Sequence, residues 1–489
     1  MVFSSFIFLC YFLPLFFFIY FISPRKNIVI LVASLLFYGW GEPLYILILL
    51  VYIVLNYLAG LALAQARFNP RLVLWLGIGA NLAMLFYFKY FVFVAGQARA
   101  LLGALGLPDF SVPSIALPLG ISFFTFQGIS YLIDIHRADI APQRSLLKFA
   151  MYKAMFPQLV AGPIVRYRQI RGKIDEGRRV SLFRLRHGIL VFLLGLAQKV
   201  LIANTVAGPA QQIFALPGEH LAADTAWLGA ICYTLQIYFD FNGYSNMAIG
   251  LGHMMGFTLP PNFRRPYVAQ SITEFWRRWH ISLSTWFRDY VYIPLGGNRC
   301  GTPRLFGNLL SVFFLCGLWH GASWTFVVWG LYHGAFLIAE RVMAKLPAPR
   351  PWRPLRHLYA LLVVVVGWVI FRCDSLPHAA VYLRAMLGTA MDRAASAPGA
   401  VSLADIGTYL SPSIMMALVA GVVFSALPAV SGRRLARVLR NALGLEGGGG
   451  RFVAGTFGVV AGCGALALLV LSMVSLAAGT YNPFIYFRF

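Results

Sequence analysis

The stretch LWHGASW, residues 318–324, lies near the middle of an apolar run that covers residues 306–339. As one straight helix, these 34 residues would be about 51 Å long, whereas the hydrocarbon core of a bilayer is about 30 Å thick. Gly317 and Gly321 flank His320, and glycine permits backbone conformations that a helix interior disfavours. The sequence therefore predicts that the helix breaks here, with a histidine at membrane depth.

A broken backbone at membrane depth is tolerated only where protein or a water-filled cavity satisfies its polar groups. We therefore expect His320 to line a cavity or tunnel between a shorter helix before it and a longer one after it. A neutral imidazole, whose unperturbed pKa is about 6.5, is suited to accept a hydroxyl proton near neutral pH. The structural alternative is a histidine that hydrogen-bonds a neighbouring helix.

Cys316 lies one helical turn before His320 and suggests a Cys/His nucleophile pair. We do not favour that pair, because the glycine break is expected to disrupt the i, i+4 register and nothing in the sequence marks the thiol as activated. The six cysteines are scattered without a CxxC pair, so we expect neither a disulfide framework nor a metal site.

The composition indicates a membrane protein. Of the 489 residues, 60% are hydrophobic and 11% are charged, whereas a soluble domain has about 25% charged residues. Apolar segments recur along the chain at residues 3–22, 28–38, 44–64, 72–95, 189–202, 226–252, 358–371, 414–430 and 452–477. Because a helix needs about 20 apolar residues to cross a bilayer, we predict an all-α, multi-pass bundle of roughly 11 to 13 membrane helices in an inner or cytoplasmic-type membrane.

The net charge of +24 is unevenly distributed, with clusters of basic residues within 166–186, 341–356 and 433–440. The tendency of basic loops to remain inside predicts that these loops face the cytoplasm. Part of the first cluster, for example Arg166 and Arg168, is also a candidate binding site for a polyanionic cytosolic substrate, because guanidinium groups match phosphate geometry. Nucleic-acid binding is not expected, since the chain has no soluble basic domain.

A second constellation lies in residues 272–290. As a helix, it would place Trp276, either Trp279 or His280, and further apolar residues on one stripe. An amphipathic helix at the membrane interface, with its aromatic residues in lipid, explains the stripe but not His280. We therefore consider that His280 and His320 converge on one site. The same tryptophans, together with Trp319, either line a tunnel or serve as aromatic packing.

A third polar group lies in residues 238–247, within an apolar span. Asp240, Asn242 and their polar neighbours must face protein or a polar pathway. Hydrogen bonding between helices is the favoured interpretation, and lining a tunnel is the alternative. Three further histidines, His136, His253 and His333, are isolated in the sequence and are interpreted as structural.

No linker or internal repeat divides the chain, so we predict a single domain over residues 1–489. Residues 117–341 are richest in intramembrane polar and aromatic side chains and form the expected catalytic core. The flanking residues 1–116 and 342–489 are expected to be scaffold helices.

Several stretches closely resemble the membrane-bound O-acyltransferase family, and within it the bacterial polysaccharide O-acetylation branch of alginate O-acetyltransferase membrane subunits. They are PQLVAGPIVRY (157–167), YFDFNGYSNMAIGLG (238–252), SITEFWRRWHISLSTWFRDYVYIPLGGN (271–298), LWHGASWTFVVWGLYHG (318–334) and YNPFIYFRF (481–489). The resemblance covers essentially the whole chain. One departure is Asn246, where related sequences often carry an aspartate.

The resemblance implies a ring of membrane helices around a funnel, with a tunnel from the cytosol toward the outer face. It implies cytosolic acetyl-CoA as an acyl-donor substrate, with no tightly bound cofactor, and a periplasmic SGNH-hydrolase-like partner that acetylates the polymer. The family's two active-site histidines correspond to His280 and His320, of which His320 is the one usually regarded as essential.

Several alternatives remain open at this point. His320 acts either as a general base or as a nucleophile that forms an acetyl-histidine. His280 orients the thioester carbonyl, stabilises its oxyanion or holds the loop beside His320. A transporter or flippase for a polymer or lipid-linked sugar would also have many helices, a broken span and polar residues at midplane. Within the enzyme class, the acylated acceptor is an exopolysaccharide, a teichoic acid, a lipid or a protein.

Overall fold

The computed structural model describes residues 2–347, 351–389, 405–427 and 448–479. The basic cluster at 433–440 and the motif at 481–489 lie outside these described residues. Within them the chain forms helices and no β-strand. The α-helices are α1 (Leu13–Ile22), α2 (Lys26–Gly41), α3 (Ile46–Leu63), α4 (Pro70–Leu85), α5 (Phe91–Ala104), α6 (Ile121–His136), α7 (Leu146–Ala154), α8 (Phe156–Leu159), α9 (Tyr167–Asp175), α10 (Leu182–Ala197), α11 (Asn204–Phe214), α12 (Ala223–Met254), α13 (Ile272–Arg278), α14 (Ile281–Phe287), α15 (Thr302–His320), α16 (Trp324–Met343), α17 (Arg353–Arg372), α18 (Leu376–Met386), α19 (Pro412–Ala426) and α20 (Gly448–Ala477).

Short segments of other helical geometry connect or extend these helices. Four segments are π-helical: Phe8–Phe12, Phe86–Tyr90, Gln198–Ala203 and Arg288–Tyr292. Three are 3₁₀-helical: Gly218–His220, Pro266–Val268 and Ile406–Tyr409. The second π-helical segment joins α4 to α5 and the third joins α10 to α11, so each pair forms one long, continuous span.

Five helices among the described residues are long and apolar enough to cross a membrane. They are Ile46–Leu63, Pro70–Ala104, Leu182–Phe214, Trp324–Met343 and Arg353–Arg372. Four shorter apolar helices are Phe8–Ile22, Lys26–Gly41, Pro412–Ala426 and Gly462–Ala477. The all-α, multi-pass class predicted from the sequence is therefore confirmed. The total of 11 to 13 spans and the division into a catalytic core and flanking scaffold stay predictions.

The predicted break in the apolar run 306–339 is confirmed. Helix α15 ends at His320, Gly321 is extended (φ −169°, ψ 155°), and α16 begins at Trp324 after Ser323 caps it. The break thus follows the histidine. The expected loss of register between Cys316 and His320 was wrong, because α15 remains helical through both residues. The view that they do not form a nucleophile pair stays a prediction.

Glycines allow α15 and α16 to approach each other closely after the break. A Cβ added at Gly330 would collide with the carbonyl oxygen of Phe313, and one at Gly317 would collide with the carbonyl oxygen of Phe326. Small residues of this kind let helix backbones pack together within membranes. The hairpin that carries His320 therefore depends on glycines at its interface.

Replacing Gly330 by alanine is expected to destabilise the protein by about 1 to 3 kcal/mol, because the backbone must shift to accommodate the methyl group. Gly307→Ala in α15 is the matched control, since nothing lies within 4 Å of its added Cβ. That control should be neutral or stabilising, because alanine favours a helix over glycine. Thermal unfolding in detergent measures both, and equal midpoints for the two variants would contradict the close-packing explanation.

Residues 272–290 do not form the single helix that the sequence predicted. Helix α13 ends at Arg278, Trp279 is extended, and His280 adopts left-handed geometry (φ 42°, ψ 55°) before α14. The main chain near residue 262 forms hydrogen bonds across this break, because Asn262 O accepts from Ile281 N at 2.9 Å. These backbone bonds replace helical ones and explain the interruption.

The aromatic residues of this segment are not in lipid. All five stripe residues are buried inside the protein: Trp276, Trp279, Leu283, Phe287 and Tyr290. The interpretation of this segment as an interfacial helix with its aromatic side chains in lipid was therefore wrong. Two short helices instead carry a buried aromatic cluster toward the end of α15.

The polar residues of α12 form contacts between helices. Asp240 pairs with Lys199 at 2.7 Å, and both side chains are almost fully buried. Asn242 Nδ2 and Asn246 Nδ2 donate to Gln198 Oε1 at 3.2 and 2.9 Å. These contacts agree with the favoured packing interpretation of residues 238–247, and neither Asp240 nor Asn242 lines the two cavities described below.

Candidate functional site

His320 lies at the carboxyl end of α15 and is surrounded by aromatic side chains. Its side chain is 4% exposed. Its ring centroid lies 5.0 Å from that of Trp319, 5.1 Å from that of Trp329 and 5.2 Å from that of Phe371. Neither ring nitrogen has a hydrogen-bond partner among the described residues. A buried polar group usually has such a partner, so this imidazole is a candidate for interaction with an entering substrate.

His280, in contrast, is held by a polar network. Its Nδ1 lies 3.0 Å from Asn262 Oδ1, which also accepts from the hydroxyl of Ser282 at 2.9 Å. Asn262 Nδ2 donates to Ser245 Oγ at 3.0 Å. With Oδ1 as the acceptor, a neutral His280 carries its proton on Nδ1 and presents a lone pair at Nε2. Within the described part of the chain, Nε2 has no hydrogen-bond partner.

The structure brings the two histidines together around one indole. The ring centroid of Trp319 lies 5.8 Å from that of His280 and 5.0 Å from that of His320. Two residues separated by 40 positions thus converge, as we hypothesised. The left-handed backbone at His280 and the end of α15 at His320 orient the side chains.

His333 belongs to the same buried aromatic cluster, a position that the sequence did not predict. It is fully buried, and its ring lies 5.2 Å from those of both Trp276 and Trp329. His333 was interpreted as structural, and its place in the aromatic cluster agrees with that interpretation. Trp329 and His333 are spaced i, i+4 on α16, a signal that placed them on one helix face. His333 does not line either cavity described below, which is consistent with a packing role.

Two cavities meet this cluster. The first, here called the lysine cavity, has a volume of about 500 Å³ and is lined by Lys89, Ser122, Trp319 and His320. The sequence interpretation also missed Lys89, although a lone lysine in the apolar segment 72–95 was a visible signal.

The second, here called the arginine cavity, has a volume of about 1250 Å³. Its basic residues are Arg277, Arg288, Arg341 and Arg356. Its aromatic and thiol lining includes Trp276, Phe313 and Cys316. No group of three or more histidine, cysteine or acidic residues that could hold a metal ion occurs in the described ranges.

One turn of α15 separates the linings of the two cavities. Cys316 lines the arginine cavity, and His320, four residues later, lines the lysine cavity. Four residues of α-helix span about 6 Å. A small group that moves past this turn would therefore travel from one cavity to the other.

The lysine cavity lies at the carboxyl end of α2. Trp40 and Glu42, at the carboxyl end of that helix, line the lysine cavity. At its amino end, Asn27 Nδ2 donates to Ile174 O of α9 at 3.2 Å. The 16 residues of α2 span about 24 Å, comparable with the thickness of a bilayer core.

The two arginines proposed for phosphate binding are engaged in ion pairs. Arg166 Nη1 lies 2.6 Å from Asp289 Oδ2, and Arg168 Nη2 lies 3.3 Å from the same oxygen. Burial raises the pKa of Asp289, but hydrogen bonds from Arg288 and Arg166 outweigh it and hold the pKa below its usual value. These contacts are structural, and phosphate binding by Arg166 and Arg168 stays a prediction.

The three candidate tryptophans occupy different positions. Trp276 lines the arginine cavity and Trp319 lines the lysine cavity. Trp279 lines neither, and its ring packs 4.7 Å from Trp368 and 5.0 Å from Phe263. The position of Trp279 thus fits aromatic packing, whereas Trp276 and Trp319 line cavities and their role in substrate binding stays a prediction.

Fold and site together define a multi-pass helical membrane protein with a buried histidine site between two cavities. A family model described as membrane-bound O-acyltransferase matches residues 136–377. The chain is 46% identical over 381 residues to "Probable alginate O-acetylase AlgI" of Azotobacter vinelandii, covering 77% of this chain and 76% of the relative. A protein of the same name from Pseudomonas putida is 40% identical over the full length of both chains.

A third relative, the peptidoglycan O-acetyltransferase of Helicobacter pylori, is 35% identical over 79% of this chain and 80% of its own length. The chain belongs to the membrane-bound O-acyltransferase family, as its motifs predicted. It is an acyltransferase of a multi-pass membrane type, and this class favours acyl transfer over the transporter alternative.

Proposed function

We propose that this protein takes an acetyl group from cytosolic acetyl-CoA and delivers it across the bacterial inner membrane for O-acetylation of an exopolysaccharide such as alginate. A periplasmic SGNH-hydrolase-like protein receives the acetyl group and acetylates the polymer. The observation that carries this proposal is the separation of two cavities by one turn of α15, with His320 at its end. The names of the relatives support acetyl as the acyl group and alginate as the polymer.

The arginine cavity is the proposed binding site for acetyl-CoA. Its four arginines suit the phosphate groups of a CoA thioester, because guanidinium binds phosphate through charged, often bidentate hydrogen bonds. The tendency of basic segments to remain inside supports a cytoplasmic orientation for this cavity. The thioester end would extend toward Trp276 and Cys316, where the lining becomes apolar.

In the proposed reaction, the acceptor hydroxyl enters the lysine cavity and His320 removes its proton. The hydroxyl oxygen attacks the thioester carbonyl carbon, the carbon–sulfur bond breaks, and the CoA thiolate takes a proton from His320. The products are the acetyl ester of the acceptor and free CoA. A nucleophilic His320 would instead form acetyl-histidine first. Rapid quenching with labelled acetyl-CoA and no acceptor distinguishes these routes, because only the covalent route labels the protein.

The proposed role of His280 follows from its hydrogen bonds. Because its Nδ1 faces Asn262 Oδ1, the neutral ring offers an acceptor at Nε2 and no donor. Of the roles that we considered, stabilisation of an oxyanion would require a protonated ring. Because His280 also lines neither cavity, we assign it to holding the main chain beside His320, with its ring against the indole of Trp319.

Release of free CoA from acetyl-CoA by the purified protein tests the proposal. We expect release to increase when a candidate periplasmic SGNH-like protein is added, because the acetyl group then has an acceptor. The matched control is the same partner with its own nucleophilic serine replaced. No CoA release under any of these conditions would overturn acetyl-CoA as the donor.

Replacing Arg341 by glutamine is expected to raise KM for acetyl-CoA by about tenfold or more, with a smaller change in kcat. Arg341 Nη2 donates to Asn298 Oδ1 at 3.1 Å, whereas its buried Nη1 has no partner among the described residues. A hydrogen bond to a charged group contributes about 1.5 to 3 kcal/mol. Arg99→Gln is the control, because Arg99 is exposed, pairs with Asp109 and does not line the cavity. Equal KM values for both variants would contradict the proposed site.

A further inference from the structure

The carboxyl end of α15 has carbonyl groups that require partners from outside the helix. The last carbonyls of any helix lack intrahelical donors, and at membrane depth an unsatisfied carbonyl is costly. Because the chain leaves helical geometry at Gly321, this applies to Leu318, Trp319 and His320. The partners of these three carbonyls determine how firmly His320 is held.

Two consecutive side chains from another span provide those partners. Tyr90 donates its hydroxyl to Leu318 O at 2.8 Å. Lys89 Nζ donates to Trp319 O at 2.5 Å and to His320 O at 3.4 Å. Lysine side chains near a helix carboxyl end commonly bind its last carbonyls. Here the residues that form the cap are about 230 positions away in sequence.

The local helix geometry presents both side chains to α15. Lys89 and Tyr90 lie in the π-helical segment Phe86–Tyr90, within the long span Pro70–Ala104. In a regular α-helix, adjacent residues project about 100° apart, and a π-helical turn changes this spacing. Such turns are rare and occur frequently at functional sites.

Lys89 also belongs to the lining of the lysine cavity. Its side chain is 9% exposed, and its Nζ donates a third hydrogen bond to Ser122 Oγ at 3.1 Å. Lys89, Ser122, Trp319 and His320 all line this cavity. A lysine inside a membrane span is rare and is treated by default as functional. The amine of Lys89 thus connects two parts of the proposed acceptor site. It binds the main chain that carries His320, and it binds Ser122 in the cavity wall.

We propose that Lys89 is the positioning residue for His320. By binding the carbonyls of Trp319 and His320, its Nζ sets the end of α15 and therefore the place of the imidazole in the lysine cavity. This inference rests on the proposed function, in which His320 is the reacting group. Reactions of this kind are sensitive to geometry, since a misplacement of 1 Å can reduce the rate by about 100-fold.

The test compares Lys89→Met with Lys153→Met in purified protein, using CoA release in the presence of the periplasmic acceptor. Lys153 is the matched control, because it is a fully buried lysine that donates to a main-chain carbonyl of α6, Phe124 O, instead of to α15. We expect Lys89→Met to lower kcat by about 100-fold with KM for acetyl-CoA unchanged, because the donor occupies the other cavity. Lys153→Met, compared at equal folded protein, should retain kcat.

Chemical rescue separates positioning from general loss of structure. In Lys89→Cys, alkylation by 2-bromoethylamine forms a thioether and restores an amine at nearly the length of lysine. We expect alkylation to raise kcat in Lys89→Cys relative to the equally treated wild-type protein, which corrects for reaction at the six native cysteines, including Cys316 of the arginine cavity. If Lys89→Met is not obtained folded, Lys89→Cys before and after alkylation in membranes supplies the same comparison.

Wild-type kcat in Lys89→Met or in unalkylated Lys89→Cys would overturn the positioning role. A loss of kcat in folded Lys153→Met as large as that in Lys89→Met would also overturn it. So would an unchanged, low kcat in Lys89→Cys after complete alkylation. These results leave the proposed function intact as long as His320→Gln is inactive. Full activity of His320→Gln would instead overturn the proposed function itself.

Discussion

Replacing His320 by glutamine is expected to lower the rate of acetyl transfer by about 10²- to 10⁴-fold, the usual contribution of a general acid–base residue. The imidazole lines the lysine cavity, and its ring nitrogens have no hydrogen-bond partner among the described residues, so its removal breaks no such bond. We therefore expect the variant to fold and insert normally. CoA release in the presence of the periplasmic acceptor measures the rate, and size-exclusion chromatography in detergent checks the fold.

His333→Gln is the matched control for this experiment. His333 is also fully buried among tryptophans and also lacks a partner for its ring nitrogens in the described part of the chain, but it lines neither cavity. We expect this variant to retain most of the activity while losing some stability. If both variants lose activity equally, the effect belongs to the aromatic cluster as a whole and the assignment of His320 is wrong.

Replacing Lys199 by methionine is expected to destabilise the protein by about 3 to 5 kcal/mol. Lys199 is 2% exposed and lies 2.7 Å from Asp240, which is 1% exposed, so the change leaves a buried carboxylate without its ion-pair partner. Breaking a buried pair from one side has this cost because the remaining charge stays desolvated. Unfolding in detergent at increasing temperature or denaturant concentration measures the effect.

The double variant Lys199→Met/Asp240→Asn is the control. The second change removes the charge of the carboxylate as well, so most of the lost stability should return. Lys199 also donates to Asn204 Oδ1 at 2.7 Å, a bond that both variants lose equally. A double variant no more stable than Lys199→Met would show that the ion pair is not the source of the effect.

The length argument succeeded because it needed only local information. An apolar run of 34 residues with two glycines is too long for one span, and the helix does end at His320. The same rules identified the helical class, since apolar length and low charge are properties of the chain alone. Both candidate histidines could also be named, because intramembrane ionisable residues are rare.

The contacts that organise the site were not predictable, because they join distant parts of the chain. Lys89 was visible as a lone charge in an apolar segment, but its bond to Trp319 O crosses 230 positions. Likewise, residues 272–290 have a helical pattern, and only the main-chain hydrogen bond from Ile281 to Asn262 explains their interruption. Local propensity predicts a helix there, and tertiary hydrogen bonding overrides it.

The sequence pattern also failed to predict which arginines are held in ion pairs. Arg166 and Arg168 belong to a basic cluster whose composition suggested a free phosphate site. Folding brings Asp289, more than 120 positions later, against both guanidinium groups. The arginines that line the large cavity come instead from two other segments, with Arg277 and Arg288 in residues 272–290 and Arg341 and Arg356 in the basic cluster at 341–356.

The central claim is that an acetyl group passes His320 from one side of the bilayer to the other. The most direct test uses proteoliposomes with the protein in one orientation, acetyl-labelled acetyl-CoA on the side of the arginine cavity and a periplasmic SGNH-like acceptor enclosed on the other side. The account predicts label on the enclosed acceptor, and none when His320→Gln replaces the wild-type protein. Labelling that occurs only when acetyl-CoA and the acceptor share one compartment would contradict it.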